Sequence, residues 1–392
     1  MNRMIFYLYV LNINFKNIFP SILFLIPIIP HIEIFGPYLH TDDLPVIIFI
    51  TLALIYIIKE KMFYLGVTGK YFLAFIIFLI FQNIYINQSA LSSDIYRFLF
   101  YFVLYAFITN SKEELKDLNF PMILFIFLST FSIISYLLEI DLGVDDYQTW
   151  SIGFNPSELD YLKGRTNGFQ AGGPNSFADL ITITAIYSLF KYKNSYALFI
   201  IPLSLIGVIV TYSRFSLIVL ISFIFLKLIK EKLYIQLLGS VLILLISANS
   251  LGVYERFLND DNNGISDRLL MLQASTEYYS ESSIESKLFG NGSNQLIFQS
   301  ENVYLYDEFD NNPYSYGPHN SFIFYLINYG LFGALLFILI FTSLLKRGFN
   351  FNPNFITVIV FLVLSMATDL LHNHSVAWLL YFAYFSYIKT EN

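Results

Sequence analysis

Apolar runs long enough to cross a lipid bilayer recur along this chain from end to end. Such runs cross as helices, because in lipid every backbone N–H and C=O group must find its partner within the segment. Of the 392 residues, 56% are hydrophobic and only 13% are charged. A soluble domain of this size has too small an interior for that many apolar side chains. The sequence therefore predicts an all-α polytopic membrane protein with one integral membrane domain, 1–392.

About 12 transmembrane helices are predicted from these runs. They lie at 18–35, 44–58, 71–86, 95–109, 121–139, 174–190, 196–211, 215–230, 233–249, 320–345, 355–371 and 375–388. Two connections are much longer than the others, 140–173 and 250–319, and the second separates helices 9 and 10. Loops of that length are commonly functional, and this one mixes polar with aromatic stretches, so we expect it to be partly helical. Residues 1–17 carry no cleavable signal pattern and form either an interfacial helix or a further span.

The distribution of charge predicts the orientation in the membrane. With the amino terminus inside, the inner connections hold 15 of the 22 Lys and Arg residues, whereas 23 of the 29 acids fall on the outer side. Cytoplasmic connections of membrane proteins carry this excess of basic residues. Both termini are therefore predicted to be cytoplasmic.

The arginines depart from that rule. Five of seven are predicted to lie on the outer side, against two of fifteen lysines: Arg97, Arg165, Arg214, Arg256 and Arg268. A face that keeps arginine while rejecting lysine indicates two-pronged recognition of carboxylate or phosphate groups. The alternative is that each arginine pairs with one of the outer acids.

Two outer stretches combine these arginines with other polar residues. In RTNGFQAGGPNSFADLIT, Arg165 lies in a predicted glycine-rich loop that leads to Asn175, Asp179 and Thr182, which share one helical face. In VTYSRFSLIV, a tight hairpin places Arg214 at the start of the eighth span. An ionisable residue inside a span usually pairs or lines a cavity, so Asp179 is a candidate partner of an arginine or part of a binding site.

Two further pieces belong to the second long connection and its end. Arg268 lies in SDRLLMLQAS, and SKLFGNGSNQL follows it. The alternative interpretation of this piece is an ordinary surface helix that ends at a glycine turn. His319 stands just before the tenth span, with Ser321, Tyr325 and Asn328 forming a polar stripe below it. Beside outer arginines, this histidine is a candidate general base, although a lone histidine there is also a common helix-start residue.

These motifs resemble, in their order, the O-antigen polymerase and O-antigen ligase superfamily. The resemblance covers roughly residues 160–335 and includes His319-Asn320, nine residues, then Gly330-x-x-Gly333. It implies a bacterial inner-membrane glycosyltransferase, multi-pass, whose periplasmic active site uses undecaprenyl-diphosphate-linked oligosaccharides as donor and acceptor.

The resemblance also implies roles for individual residues. Arg214 and Arg268 would hold the donor diphosphate, with Arg165 as a third candidate, and His319 would take the proton of the acceptor hydroxyl. The residues near them are expected to contact substrate: Asn175, Asp179, Asn320 and Tyr325. No cofactor, metal or nucleic acid is expected, and a chain-length regulator protein is a candidate partner besides the lipid bilayer.

Three functions remain open at this stage. The favoured one is a polymerase that joins lipid-linked repeat units into O-antigen or a related surface polysaccharide. A ligase that transfers finished polymer to lipid A–core fits the same motifs. A non-enzymatic flippase or exporter of lipid-linked oligosaccharide is the third, although the chain lacks the internal repeats common in transporters.

Two other polar groups carry weaker signals. Asp42 and Asp43 resemble an acidic pair used by other lipid-dependent glycosyltransferases, but ahead of Pro45 they are more typical of a helix cap. Asp369, His372 and His374 sit at a predicted outer helix end, where a His-x-His without a matching carboxylate cluster is weak evidence for a metal.

Overall fold

The computed structural model of the protein describes the chain in segments. They are 15–30, 41, 43–60, 65–87, 93–111, 120–143, 151–156, 163–169, 173–250, 264–292, 320–342, 344, 351–368, 370–371 and 374–391.

Most of the described chain is helical. The first nine helices are α1 (Phe15–Leu25), α2 (Asp43–Glu60), α3 (Val67–Asn87), α4 (Ser93–Asn110), α5 (Phe120–Leu138), α6 (Gly173–Lys191), α7 (Ala197–Ile209), α8 (Arg214–Lys230) and α9 (Tyr234–Ser250). Two helices lie in the second long connection, α10 (Gly264–Glu281) and α11 (Ile284–Phe289). The last three are α12 (Ser321–Ile340), α13 (Pro353–Leu364) and α14 (His374–Glu391).

Every apolar run of the sequence contains one of these helices, which confirms the helical class. Among the described helices, α3, α5 and α12 are long and apolar enough by length and composition to cross a membrane. This supports a multi-pass membrane protein, and the total of 12 spans stays a prediction.

Three helices differ from their predicted bounds. α1 ends at Leu25, short of residue 35, because Pro27 disfavours helical backbone in the residue before it. α13 ends at Leu364 instead of 371, and the turn that follows is used to bind another helix. α12 is not continuous: Gly330 has φ 62° and ψ −172°, a conformation outside the helical region that breaks the helix.

The first long connection contains a small antiparallel sheet, so the all-α prediction needs a local correction. Strand β1 (Gly153–Pro156) pairs with β2 (Gly164–Asn167), and Asn155 stands opposite Arg165. The strands have only four residues each and are rich in glycine and polar residues, so they carry no alternating apolar pattern that sequence inspection could detect.

Two helices form the centre of the bundle. α6 is buried over nearly its whole length and packs against α5, α7, α8 and α13. α14 is buried to a similar degree and packs against α4 and α13. α13 therefore lies between α6 and α14. On the other side, α14 contacts α4, and α4 in turn contacts α2 and α3.

One end of the bundle gathers the connections that were predicted to be basic. Nζ of Lys230, at the end of α8, lies 3.7 Å from the ring centroid of Phe351, just before α13. Nζ of Lys389, near the end of α14, donates to the carbonyl oxygen of Ser111 after α4, 2.8 Å away. Since α8 ends where α13 begins, the start of α8 and the end of α13 lie at the opposite end, which we call the site end.

Candidate functional site

Arg165 is held at the site end by hydrogen bonds to two different elements. Its Nε–H donates to the carbonyl oxygen of Thr211 between α7 and α8, 2.9 Å away, and Nη2 donates to Oδ1 of Asn175 in α6, 3.1 Å away. A loop was predicted here, but Arg165 lies in β2, where strand alternation buries Thr166 and leaves Arg165 half-buried. The guanidinium is therefore fixed in direction and still partly accessible.

The strand that carries Arg165 is itself anchored to the helices. The backbone N–H of Thr166 donates to the carbonyl oxygen of Val210, 3.1 Å away. Oγ1 of Thr166 lies 2.8 Å from Oγ of Ser132 in α5, and that serine donates to the carbonyl oxygen of Gly207 at 2.9 Å. These groups are buried, so their hydrogen bonds have no competition from water and keep β2 in place.

Arg214 opens α8 directly after the tight connection that the sequence predicted. Tyr212 in this connection has φ 57°, a left-handed conformation that is uncommon for residues with a Cβ, and its hydroxyl lies 3.0 Å from that of Tyr136. Arg214 is half-buried, and its cationic side chain starts at the helix end that carries the positive dipole. Helix dipole and arginine thus both favour an anion at this point.

Asp179 connects α6 to the start of α8 from inside the bundle. The aspartate is fully buried, and its Oδ1 accepts a hydrogen bond from Oγ of Ser216 at 2.6 Å. Ser216 in turn lies 2.7 Å, Oγ to Oγ, from Ser213, the residue before Arg214. Thr182 also donates to the carbonyl oxygen of Ser216, 3.5 Å away, so the polar face of α6 contacts the first turn of α8.

Asn320 caps α12 and ties it to a neighbouring turn. Its Oδ1 accepts hydrogen bonds from the N–H groups of Phe322 and Ile323, 3.0 and 3.1 Å away. Its Nδ2 donates to the carbonyl oxygen of Met366, 3.0 Å away, in the turn after α13. The side chain that was expected to bind substrate therefore orients the helix start next to His319.

Ser321 adds a second set of hydrogen bonds between the same two elements. Its N–H donates to the carbonyl oxygen of Ser365 at 2.9 Å, and its Oγ–H donates to that of Thr368 at 2.9 Å. The N–H of Leu371 donates back to Oγ at 3.2 Å. Because the end of α13 lies at the site end, the start of α12 lies there too.

Tyr325, another predicted substrate contact, is part of the core. It is 3% exposed, and its ring centroid lies 5.0 Å from that of Tyr329 and 4.5 Å from that of Phe337. Its hydroxyl donates to the carbonyl oxygen of Leu371, 3.4 Å away. In this structure Tyr325 packs α12 into the bundle.

A buried polar group between α4 and α12 was not predicted. Asp94 is 2% exposed and accepts a hydrogen bond from the hydroxyl of Tyr329 at 2.6 Å. Nη1 of Arg97, one turn further along α4, lies 3.3 Å from the other carboxylate oxygen. Arg97 stood among the outer arginines, and its partner Asp94 is one turn away in the same helix. Tyr329, the other partner of Asp94, is far away in the sequence, so no local pattern signals that contact.

Several predicted residues lie outside the described part of the chain. They are Asp42, Arg256, His319, Asp369 and His372, together with the side chains of Arg268 in α10 and His374 in α14. Within the residues that the structure does describe, no three side chains of His, Asp or Glu gather in a way that could hold a metal ion.

The structure thus brings four of the predicted residues to one place. Arg165, Asn175 and Asp179 meet the connection that ends at Arg214. Asn320 lies at the same end of the bundle, bonded to the turn after α13. A helical bundle with several apolar helices, and with charged and polar groups held rigidly at one end, defines a multi-pass membrane protein with a polar site at that end.

Comparison with known proteins narrows this class. Residues 199–338, from α7 into α12, match the family model described as O-antigen ligase, which confirms the resemblance to the O-antigen polymerase and ligase superfamily. At this coarse level the match supports a membrane enzyme that transfers glycan. It includes Arg214, Arg268 and His319, whereas Arg165 precedes it. Among curated proteins no match was found.

Proposed function

We propose that this protein is a polymerase that joins undecaprenyl-diphosphate-linked oligosaccharide repeat units on the periplasmic face of the bacterial inner membrane. Donor and acceptor are both lipid-linked, and both termini are cytoplasmic. The product is O-antigen or a related surface polysaccharide. A chain-length regulator remains a candidate partner.

The observation that carries this proposal is the fixed guanidinium of Arg165 beside the start of α8. It is directed by Thr211 and Asn175, and Arg214 opens the helix that follows. Two cations and a helix amino terminus form a suitable environment for a diphosphate. The family match supports the same reading, because it covers the segment that contains Arg214.

The proposed reaction exchanges one bond at the anomeric carbon. The acceptor hydroxyl oxygen forms a bond to that carbon, and the bond from the carbon to the donor diphosphate breaks. The hydroxyl proton goes to His319, and the electron pair leaves with undecaprenyl diphosphate. Guanidinium groups that are already in place stabilise the charge developing on the leaving group without reorganisation of solvent.

The neighbours of these residues act by positioning them. Asn175 directs Arg165, and Asp179 holds the first turn of α8 through Ser216 and Ser213. Asn320 caps α12 directly after His319. Substrate contact by Asn175, Asp179, Asn320 and Tyr325 gives way in this proposal to these supporting roles.

A second candidate function is ligation of finished polymer to lipid A–core. The description of the matched family, O-antigen ligase, favours it, and the diphosphate site would serve the same donor. Only the acceptor differs between the two reactions.

Deletion of the coding region separates the candidates by the surface polysaccharide that remains. Loss of a polymerase leaves core capped by a single repeat unit, and this is the expected result. Loss of a ligase leaves bare core and polymer retained on its lipid, whereas loss of a flippase leaves unpolymerised repeats on the cytoplasmic side. An unchanged ladder of long chains would contradict the proposal.

Arg165→Lys is expected to reduce polymerisation about tenfold. An ammonium group cannot donate to Thr211 and Asn175 with one planar fork and still present a fixed edge to phosphate. The assay is polymer formed per protein inserted. Lys163→Ala is the matched control, because Lys163 is exposed, pairs with exposed Glu139 at 2.9 Å and should contribute little. Wild-type activity in Arg165→Lys would show that charge alone, without direction, is needed at this position. Equal losses in both variants would show that the effect is not specific to the directed contacts of Arg165.

A further inference from the structure

The break in α12 is covered by the segment that follows α11. Asn291 N–H donates to the carbonyl oxygen of Ile327 at 3.1 Å, and Gly292 N–H donates to that of Asn328 at 3.0 Å. Gly330, with its non-helical backbone, stands two residues after Asn328. The segment 290–292 thus supplies the donors that the interrupted helix does not.

Two glycines permit this contact. Gly290 (φ 79°, ψ 179°) and Gly330 (φ 62°, ψ −172°) both adopt a backbone conformation that is essentially restricted to glycine. A Cβ on Gly290 would overlap the carbonyl of Asn328, and a Cβ on Gly330 would overlap the backbone of Leu288 and Gly290. These obstacles are backbone atoms, so a side-chain rotation cannot relieve them.

Gln82 in α3 contacts both the end of α11 and the part of α12 before the break. Its Nε2 donates to the carbonyl oxygen of Asn328 at 2.6 Å and to that of Phe289. Gln82 is 4% exposed, and its hydrogen bond to Asn328 is buried. Loss of this amide would remove the direct link from α3 to both segments, although the Asn328 carbonyl would keep the N–H of Gly292. We call Gln82 with the segments 288–292 and 327–330 the clamp.

The clamp also holds α10, the helix to which Arg268 belongs. Nδ2 of Asn291 donates to the hydroxyl of Tyr278, 3.1 Å away, and the hydroxyl of Tyr279 donates to the carbonyl oxygen of Lys287, 3.0 Å away. α10 is therefore connected through α11 to the middle of α12. His319 immediately precedes the cap of that same helix.

We propose that the clamp is the positioning device of the active site, with Gln82, Gly290 and Gly330 as positioning residues. It holds α10, the helix that contains Arg268, and the first half of α12, which follows His319 in the sequence, in one arrangement. This inference rests on the proposed function, because it assigns the alignment of diphosphate and acceptor to these contacts. The three residues touch no substrate.

The test measures geometry and catalysis in the same variants. The chain has no cysteine, so pairs of introduced cysteines can carry spin labels and no native cysteine has to be replaced. Labels at Ile77 in α3 and Thr276 in α10, both exposed, report how α10 sits on the bundle. Labels at Ile77 and Leu226 in α8 form the scaffold pair, which should not change. Catalysis is followed with purified lipid-linked repeat unit in proteoliposomes.

Gly290→Ala and Gln82→Leu are expected to broaden the Ile77–Thr276 distance distribution and leave the scaffold pair unchanged. In Gly290→Ala, kcat should fall about 100-fold, the loss typical of a displacement of about 1 Å at a reacting centre. The KM for the donor should change less than kcat, because alignment affects the transition state most. Gly239→Ala in α9 is the matched control, since its Cβ meets no neighbouring atom and both readouts should stay as in the wild type.

Three results would overturn the clamp as a positioning device. They are a broadened distance with full activity, a lost activity with an unchanged distance, and no change in either. Gln82→Leu adds no atom beside the backbone contact of the two glycines, so it decides the question if Gly290→Ala fails to insert. If the wild type itself transfers no glycan, the proposed function fails, and the distances still decide whether the clamp holds α10.

Discussion

Arg214→Ala should lower glycan polymerisation by about 10²–10³-fold, the range seen when one fixed stabilising donor is removed from an active site. The residue starts α8, so its cation adds to the positive end of the helix dipole beside Arg165. Without it, the leaving diphosphate loses a stabilising charge where negative charge grows. The rate is measured as polymer formed per inserted protein in proteoliposomes.

Two further variants show whether the loss in Arg214→Ala is specific to the guanidinium at this position. Arg214→Lys should fall between wild type and alanine, because lysine keeps the charge but not the two-pronged contact. Lys193→Ala, which removes an exposed cation from the opposite end of the bundle, should keep wild-type activity. Wild-type activity in Arg214→Ala would remove this residue from the diphosphate site.

The second large effect is expected for His319→Ala, with a loss of about 10²–10⁴-fold, the usual contribution of a general base. A histidine must be neutral to accept the proton of the acceptor hydroxyl. The wild-type rate should therefore fall as the pH is lowered, and the residual rate of the variant should lose that dependence. Both are measured as rate against pH at saturating donor.

Asn320→Ala separates loss of the base from loss of the helix start. The asparagine caps α12 and holds the turn at Met366, so its removal should cost about 1 kcal/mol of stability and part of the activity. Because His319 is retained, the fall of activity at low pH should persist. If His319→Ala keeps the wild-type pH dependence, the proton goes elsewhere.

The bounds of a helix could be predicted where they depend only on the local sequence. A bilayer requires a long apolar run, and α6, α8 and α14 begin and end within a few residues of the bounds that such runs predict. The tight connection before Arg214 was visible for the same reason, because two apolar runs leave few residues between them.

The features that shape the candidate site depend on contacts between distant residues. β2 consists of Gly, Arg, Thr and Asn and is a strand because it pairs with β1, while Thr166 bonds to Val210 and Ser132 and holds it against the helices. The break at Gly330 exists because the segment after α11 supplies donors to α12. Neither arrangement has a periodic signal in the sequence.

Residue types alone also left the roles of polar groups ambiguous. Asn320 and Tyr325 stand next to candidate catalytic residues and were expected to contact substrate. The geometry gives the first to helix capping and the second to core packing. Arg165 differs from these two residues. It was named as a candidate from its residue type alone, and its hydrogen bond to Asn175 shows how its guanidinium is held in one direction.

The central claim is that this protein joins lipid-linked repeats by displacing undecaprenyl diphosphate at an arginine site. Purified protein in proteoliposomes, supplied only with undecaprenyl-diphosphate-linked repeat unit and a metal chelator, tests it most directly. The account predicts polymer of increasing length and one undecaprenyl diphosphate released per bond formed, with both products strongly reduced in Arg214→Ala. Failure to form polymer until lipid A–core is added, or equal yields from wild type and Arg214→Ala, would contradict it.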